Sequence, residues 1–184
     1  MINKKILLIG DSITEGFDTE SLLPEFKIIN KGISGNNSTD LLKRVRWDVI
    51  SHNPDYIFVL IGTNDLAQGF TNEEIISNIE KILKTIALGL INSTIFVTSI
   101  LPTRYNDPRP NDRIRALNSQ LKDISEKLKV EYLELDRLFL DDAGNLRYDL
   151  TEDGLHLNNK AYKIWADYLR DYLNKFFNLS ASRN

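Results

Sequence analysis

Two nearly continuous apolar runs, at residues 56–61 and 94–101, restrict what this chain can fold into more than any other feature. A strand with one solvated face alternates apolar and polar residues, whereas a continuous apolar run is typical of a strand covered on both faces. Strands of that kind occur in parallel sheets that lie between two layers of helices. The two runs therefore favour an α/β protein with a central parallel sheet.

The rest of the chain alternates between strand patterns and helix patterns. We predict five strands, at residues 5–9, 27–30, 56–61, 94–101 and 130–135. Apolar residues recur at the spacing of one buried helix face in four segments, at 41–49, 75–86, 114–128 and 161–176. Thr71 and Glu74 form a capping-box pattern at the start of the second helix. This order predicts a three-layer α/β/α sandwich with a five-stranded parallel sheet, flavodoxin-like in shape.

Length and composition limit the number of domains and the classes of partner that we expect. A chain of 184 residues is expected to form a single domain over residues 1–184. It contains no cysteine and only two histidines, far apart in sequence, so we expect neither a metal site nor a cofactor. The net charge is −3, with dispersed lysines and arginines, and this disfavours nucleic acid and anionic membrane surfaces as partners.

The expected location follows from the absence of targeting signals. The apolar stretch near the N-terminus is only five residues long, too short for the core of a signal peptide. No segment is long and apolar enough to span a bilayer. We therefore expect a cytoplasmic protein that acts on a small neutral molecule, with its oligomeric state left open.

A nucleophile, a base and an orienting carboxylate are candidates for one site. Ser12 follows the first predicted strand directly, in Gly10-Asp11-Ser12. A serine becomes a nucleophile when a base accepts its proton, and His156 is the better of the two histidines because Asp153 precedes it by three residues and can orient its ring. His52 lies between a predicted helix and Asn53-Pro54, and we interpret it as a connector residue.

Two further residues supply donors at the same predicted edge of the sheet. Gly35 and Asn64 follow the second and third strands, and ligands of such sheets bind outside the carboxyl ends of the strands. The backbone N–H groups of Ser12 and Gly35 and the side-chain amide of Asn64 are the donors that an oxyanion hole needs. Each residue alone has a simpler interpretation, because glycine and asparagine favour turns and asparagine caps helices.

The combination of motifs closely resembles the SGNH hydrolases, the GDSL esterase and lipase family. The matching blocks are Gly10-Asp11-Ser12, Gly35, Gly62-Thr63-Asn64-Asp65 and Asp153-Gly154-Leu155-His156. Within the family, the stretch Gly10-Asp11-Ser12-Ile13-Thr14-Glu15-Gly16 and the compact length resemble the branch of platelet-activating-factor acetylhydrolase catalytic subunits and bacterial acylhydrolases. The resemblance implies hydrolysis of carboxylic esters through an acyl-enzyme on Ser12, with short acyl groups such as acetyl favoured because no long insertion forms a lid.

Substrate contacts are predicted where the fourth strand ends. Residues 103–110 open on the edge that carries Ser12, and we expect them to form a wall of the pocket, with Asp11, Thr103 and Arg104 contacting substrate. An alternative stays open, in which the same fold is a small-ligand or carbohydrate-binding module without catalysis. Such a module could hold an anion at the helix start Ser38-Thr39 or at the Arg104 loop.

Overall fold

A five-stranded parallel sheet forms the centre of the protein in the computed structural model, which describes residues 4–181 and side chains as far as residue 177. The strands are β1 Lys5–Gly10, β2 Lys27–Gly32, β3 Tyr56–Leu60, β4 Thr94–Thr98 and β5 Glu131–Leu133. Their spatial order is β2-β1-β3-β4-β5, and every neighbouring pair is parallel. This is the flavodoxin-like order, so the predicted fold is confirmed.

Seven α-helices accompany the sheet within the described residues. They are α1 Ser12–Glu15, α2 Thr19–Leu22, α3 Ser38–Asp48, α4 Thr63–Ala67, α5 Asn72–Gly89, α6 Asn111–Leu128 and α7 Asn159–Ala181. The four predicted helix segments correspond to α3, α5, α6 and α7. The capping box is also present, because Glu74 N donates to Thr71 Oγ1 and Thr71 N donates to Glu74 Oε2. The short helices α1, α2 and α4 carry no periodic signal and were not predicted.

Two strands are shorter than their apolar runs. The prediction extended β4 to residue 101, but the backbone of Ile100 exchanges two hydrogen bonds with the side chain of Asn118 on α6. Those groups are then unavailable to a neighbouring strand. The prediction also extended β5 from 130 to 135, yet Val130 N donates to Ser125 O and Leu135 N donates to Leu133 O in a turn. Apolar character thus continues past the last ladder hydrogen bond.

The hydrophobic core lies on both faces of the sheet. Ile6 and Leu8 of β1 pack with α1 and α7 on one face, whereas Leu7 and Ile9 pack with α3, α5 and α6 on the other. All four side chains are essentially inaccessible to solvent. Burying each contributes about 2 kcal/mol, which is why a continuous apolar strand requires two helix layers.

Some expectations concern the ends of the chain. Residues 1–3 and 182–184, which the single-domain prediction includes, lie outside the described residues, and the signal-peptide argument rests partly on the first three. Across residues 4–181, no helix combines the length and the apolar character needed to cross a membrane.

Candidate active site

Ser12 lies at a sharp turn from strand to helix. β1 ends at Gly10, Asp11 is the N-cap of α1, and Ser12 is the first residue of that helix. The turn is held by the Asp11 carboxylate, whose Oδ1 accepts a hydrogen bond from Ile13 N at 3.0 Å. An N-cap of this kind keeps the serine at the carboxyl edge of the sheet.

The three residues predicted as a triad form one chain of hydrogen bonds. Ser12 Oγ lies 3.1 Å from His156 Nε2, and His156 Nδ1 lies 2.6 Å from Asp153 Oδ2. Burial opposes ionisation of Asp153, but its hydrogen bonds from His156 and from the Leu155 backbone outweigh burial and lower its pKa to about 2. The carboxylate is therefore an acceptor at neutral pH. Nδ1 must carry the imidazole proton, which leaves Nε2 free to accept the proton of Ser12.

A local turn orders the residues around His156. Asp153 Oδ1 accepts hydrogen bonds from Leu155 N and His156 N, at 2.9 and 2.8 Å. Gly154 between them has φ +79°, and a Cβ there would lie 2.1 Å from Arg104 O. Arg104 N in turn donates to Gly154 O at 2.8 Å. Glycine is required because the 103–110 segment packs directly against the turn.

Asn64 contacts residues from two other loops. The residue is only 8% exposed, its Nδ2 donates to Asn36 O at 3.0 Å, and its Oδ1 accepts from Arg109 Nη2 at 3.1 Å. Gly62 is the N-cap of α4, so the Asn64 side chain does not cap that helix. The bond to Asn36 joins Asn64 to the loop that contains Gly35, an exposed residue with φ +78°. The structure therefore brings the second and third predicted blocks together.

Asp65 anchors the start of α3 beside that loop. It is fully buried and accepts hydrogen bonds from Ser38 N at 2.9 and 3.0 Å and from Ser38 Oγ. Burial raises the pKa of Asp65, although the bonds from Ser38 oppose the shift. A carboxylate thus already lies at the α3 N-terminus, where the binding-module alternative would place an anion. That alternative loses its first candidate site.

The residues predicted to contact substrate have internal partners. Asp11 and Thr103 are 1% and 2% exposed, and Thr103 Oγ1 donates to Arg109 O at 2.7 Å. Burial raises the pKa of Asp11 to about 7 against the hydrogen bond from Ile13. Arg104 Nε donates to Leu146 O at 2.6 Å and its Nη2 contacts Asp141. A contact between a substrate and Asp11, Thr103 or Arg104 stays a prediction.

His52 lies at the opposite edge of the sheet. It closes a 3₁₀ turn, Ile50–His52, and its carbonyl accepts a hydrogen bond from Lys5 Nζ at 2.7 Å. Lys5 begins β1, whereas Ser12 follows the end of that strand, so the two ends are separated by roughly 15 Å.

In the part of the chain that the structure describes, no group of three or more His, Asp or Glu side chains is arranged to hold a metal ion.

The sequence analysis predicts no function for two arginines that the structure places beside these residues. Arg44 of α3 donates through Nη2 to Gly10 O at 2.8 Å and through Nε to Asn36 Oδ1 at 2.7 Å, so it links the end of β1 to the Gly35 loop. Arg109 links the 103–110 segment to Asn64. Arg109 lies in a segment predicted as a pocket wall, but no local pattern distinguishes it from Arg104. Arg44 occupies an ordinary position of a predicted helix.

A family model describing the GDSL-like lipase/acylhydrolase family matches residues 8–164, most of the chain. The chain belongs to this family. This chain is 35% identical over 171 residues to an N-acylneuraminate cytidylyltransferase of Streptococcus agalactiae, a match that covers 89% of this chain and 39% of that protein. This chain therefore spans about two fifths of that relative's length. It is also 29% identical to the platelet-activating factor acetylhydrolase IB subunit alpha2 of Gallus gallus, over 85% of this chain and 70% of that one.

A solved structure agrees with the family and the fold. The structure is that of a Streptococcus pneumonia protein named as a platelet activating factor, and it superposes with a TM-score of 0.87 at 31% identity. The match covers 94% of this GDSL protein and 85% of the other chain. The resemblance inferred from the sequence motifs is confirmed.

Proposed function

We propose that this GDSL protein is a serine esterase that hydrolyses carboxylic esters through an acyl-enzyme on Ser12. The observation that carries the proposal is the continuous relay from Ser12 Oγ through His156 to Asp153, with separations of 3.1 and 2.6 Å. A serine, an imidazole in the correct tautomer and a buried or bonded carboxylate are the components of nucleophilic acyl transfer.

Acylation begins with transfer of the Ser12 proton to His156. Ser12 Oγ attacks the ester carbonyl carbon while its proton passes to His156 Nε2, and Asp153 stabilises the imidazolium that forms. The carbonyl oxygen becomes an oxyanion, held by the backbone N–H groups of Ser12 and Gly35 and by Asn64 Nδ2. The C–O bond to the alcohol then breaks, the alcohol takes the proton from His156, and the acyl group stays on Ser12.

Deacylation repeats these steps with water. His156 Nε2 takes a proton from a water molecule that attacks the acyl carbonyl carbon, and the second oxyanion occupies the same donors. Its collapse breaks the bond to Ser12 Oγ, which recovers its proton from His156. The acid is released and the enzyme returns to its starting state.

The proposed substrates are esters of short acyl groups, acetyl above all. The longest connections between helices and strands at this edge, 99–110 and 134–158, are tied down by internal hydrogen bonds such as those of Thr103, Arg104 and Asn111. We infer that connections held in this way do not fold over the site as a cover for a long acyl chain. The acetylhydrolase name of the chicken relative supports the same class.

Covalent labelling tests the proposal. A fluorophosphonate probe should label the native protein and a Ser119→Ala control, which removes an exposed serine on α6, but not a Ser12→Ala variant. On p-nitrophenyl esters from acetyl to octanoyl, kcat/KM should be highest at the short end. Equal labelling of Ser12→Ala and wild type would overturn the proposed nucleophile, and bound ester without turnover would favour the binding-module alternative.

A further inference from the structure

Arg109 reaches from the β4–α6 connection to the start of α4. Its Nε donates to Thr63 O at 3.0 Å and its Nη2 donates to Asn64 Oδ1 at 3.1 Å, across 46 and 45 residues of sequence. A third hydrogen bond, from Nη1 to Asn106 Oδ1 at 3.3 Å, holds the guanidinium to its own loop. The side chain therefore connects the predicted pocket wall to the amide proposed for the oxyanion hole.

The loop presents Arg109 in a defined position. Arg109 N donates to Asn106 O at 2.9 Å, and Arg109 O accepts from the buried hydroxyl of Thr103 at 2.7 Å. Thr103 is itself tied to Asn111, the first residue of α6, by a bond from Thr103 N to Asn111 Oδ1 at 2.8 Å. The guanidinium thus extends from an anchored backbone.

An asparagine amide must be held the right way round to stabilise an oxyanion. Its Nδ2 end donates, whereas its Oδ1 end would repel the negative oxygen. A guanidinium has only donors, so Arg109 can pair only with Oδ1 of Asn64. The Asn36 carbonyl has only acceptors, so it can pair only with Nδ2. Together the two contacts permit one orientation of the amide and leave one N–H of Nδ2 available.

Charge adds to the geometric effect. Burial lowers the pKa of Arg109 from its usual value, while the ionised forms of the nearby Asp11 and Asp153 carboxyl groups oppose that shift and favour the cation. A cation bonded to Oδ1 draws electron density from the amide and strengthens its remaining N–H as a donor. That gain matters most when the carbonyl oxygen becomes charged.

We propose that Arg109 is a positioning residue that fixes the Asn64 amide with Nδ2 toward the oxyanion, and that it thereby raises kcat. This inference rests on the proposed role of Asn64.

The experiment is a double-mutant cycle between the two side chains. Arg109→Gln should lower kcat by about 10- to 100-fold with KM within about 3-fold of wild type, because the contact matters chiefly in the transition state. Asn64→Ala should lower kcat by about 10²- to 10³-fold. In the Asn64→Ala background, Arg109→Gln should cost less than about 3-fold more. Arg109→Lys keeps a charge but not the fork of donors and should fall between wild type and Gln.

Arg113 offers a matched control. It is also partly buried, and it likewise bonds a backbone carbonyl and an asparagine side chain, Phe70 O and Asn72 Oδ1. Arg113→Gln should lower the thermal midpoint by an amount comparable to Arg109→Gln but leave kcat within about 2-fold. Titrating active sites with the fluorophosphonate probe expresses each kcat per folded, reactive enzyme.

The outcomes separate this inference from the proposed function. If Asn64→Ala loses activity while Arg109→Gln turns over as wild type, the role of Arg109 is overturned and that of Asn64 stands. If Arg109→Gln costs the same factor with and without Asn64, Arg109 does not act through the amide and the inference is wrong. If Asn64→Ala keeps wild-type kcat, the proposed oxyanion role fails, and the inference fails with it.

Discussion

The two sides of the site differ in how they are held and in how much water reaches them. On the base side, the side chains of Asp153 and His156 are 51% and 49% exposed. On the amide side, Asn64 is 8% exposed and Asp65 is fully buried. The turn that carries Asp153 and His156 is closed by hydrogen bonds within three residues of sequence, with one further bond from Arg104 N to Gly154 O. The amide side is ordered by contacts that cross 27 to 45 residues.

This difference matches the chemistry proposed for each side. A base must exchange protons with water and leaving alcohol, and an exposed imidazole on a local turn can do so. An oxyanion hole stabilises charge only if its donors are already fixed and poorly hydrated when the charge develops. The long-range contacts of Asn64 provide that rigidity, and the local turn at Asp153 provides orientation of the ring with access to solvent.

The largest expected effect is on the relay itself. Ser12→Ala and His156→Ala should each lower kcat on a short ester by at least about 10³-fold, because neither residue can form the acyl-enzyme without the other. The double variant should be hardly slower than either single variant. Multiplicative losses would show that the two side chains do not act as a unit.

Asp153→Asn tests the base side and keeps the hydrogen bonds that close its turn. The variant's Oδ1 can still accept from Leu155 N and His156 N, but its amide would donate toward His156 Nδ1 and move the ring proton to Nε2. We expect kcat to fall by about 10²- to 10³-fold with unchanged native folding at neutral pH. Circular dichroism and steady-state kinetics on one preparation check this, and a folded variant with normal kcat would remove Asp153 from the relay.

The variant Asp11→Asn tests how a buried carboxyl group affects stability, in contrast to the exposed carboxylate of Asp153. The folded pKa of Asp11 is raised to about 7, above the unfolded value near 4, so between these pH values the folded state keeps a proton that the unfolded chain loses. The contribution of Asp11 to stability therefore decreases as pH rises from about 4 to 7. Asn keeps the acceptor for Ile13 N, so its advantage over wild type should grow across this range by on the order of 3 kcal/mol.

Urea unfolding of both proteins at several pH values measures that difference. Asp153 behaves oppositely: its folded pKa is lowered to about 2, so its contribution is present above pH 4 and is lost as pH falls toward 2. A wild-type-minus-variant stability difference that stays constant from pH 4 to 7 would contradict the assignment for Asp11.

The smallest expected effect is at His52, on the far edge of the sheet. His52→Gln should leave kcat/KM within about 2-fold of wild type, since its backbone carbonyl, not its ring, holds Lys5. Steady-state kinetics on the same short ester check this. A folded His52→Gln protein with a large loss of kcat would show that the wrong imidazole was assigned as base.

The fold was predictable because its signals are local. Continuous apolar runs at residues 56–61 and 94–101 indicated strands buried on both faces, and β3 and β4 confirm them. The ends of β4 and β5 were wrong by two or three residues, because the side chain of Asn118 takes the backbone groups of Ile100 and the chain turns after Leu133. Hydrophobicity predicts burial, and burial continues beyond the hydrogen-bonded ladder.

The sequence by itself determined the α/β fold with a parallel sheet, because that fold follows from the apolar periodicity of the strands and helices. It also indicated the contact between Asp153 and His156, because the two residues are only three apart. The catalytic site at the carboxyl edge of the sheet stays a prediction. Only the tertiary structure decided which arginine meets Asn64, that Arg44 joins Gly10 to the Gly35 loop, and that Arg104 is directed to the 141–146 segment. These contacts join residues far apart in sequence, and a flexible arginine side chain has no periodicity that reveals its partner. Its position depends on where packing places the backbone and on which acceptors remain unpaired there.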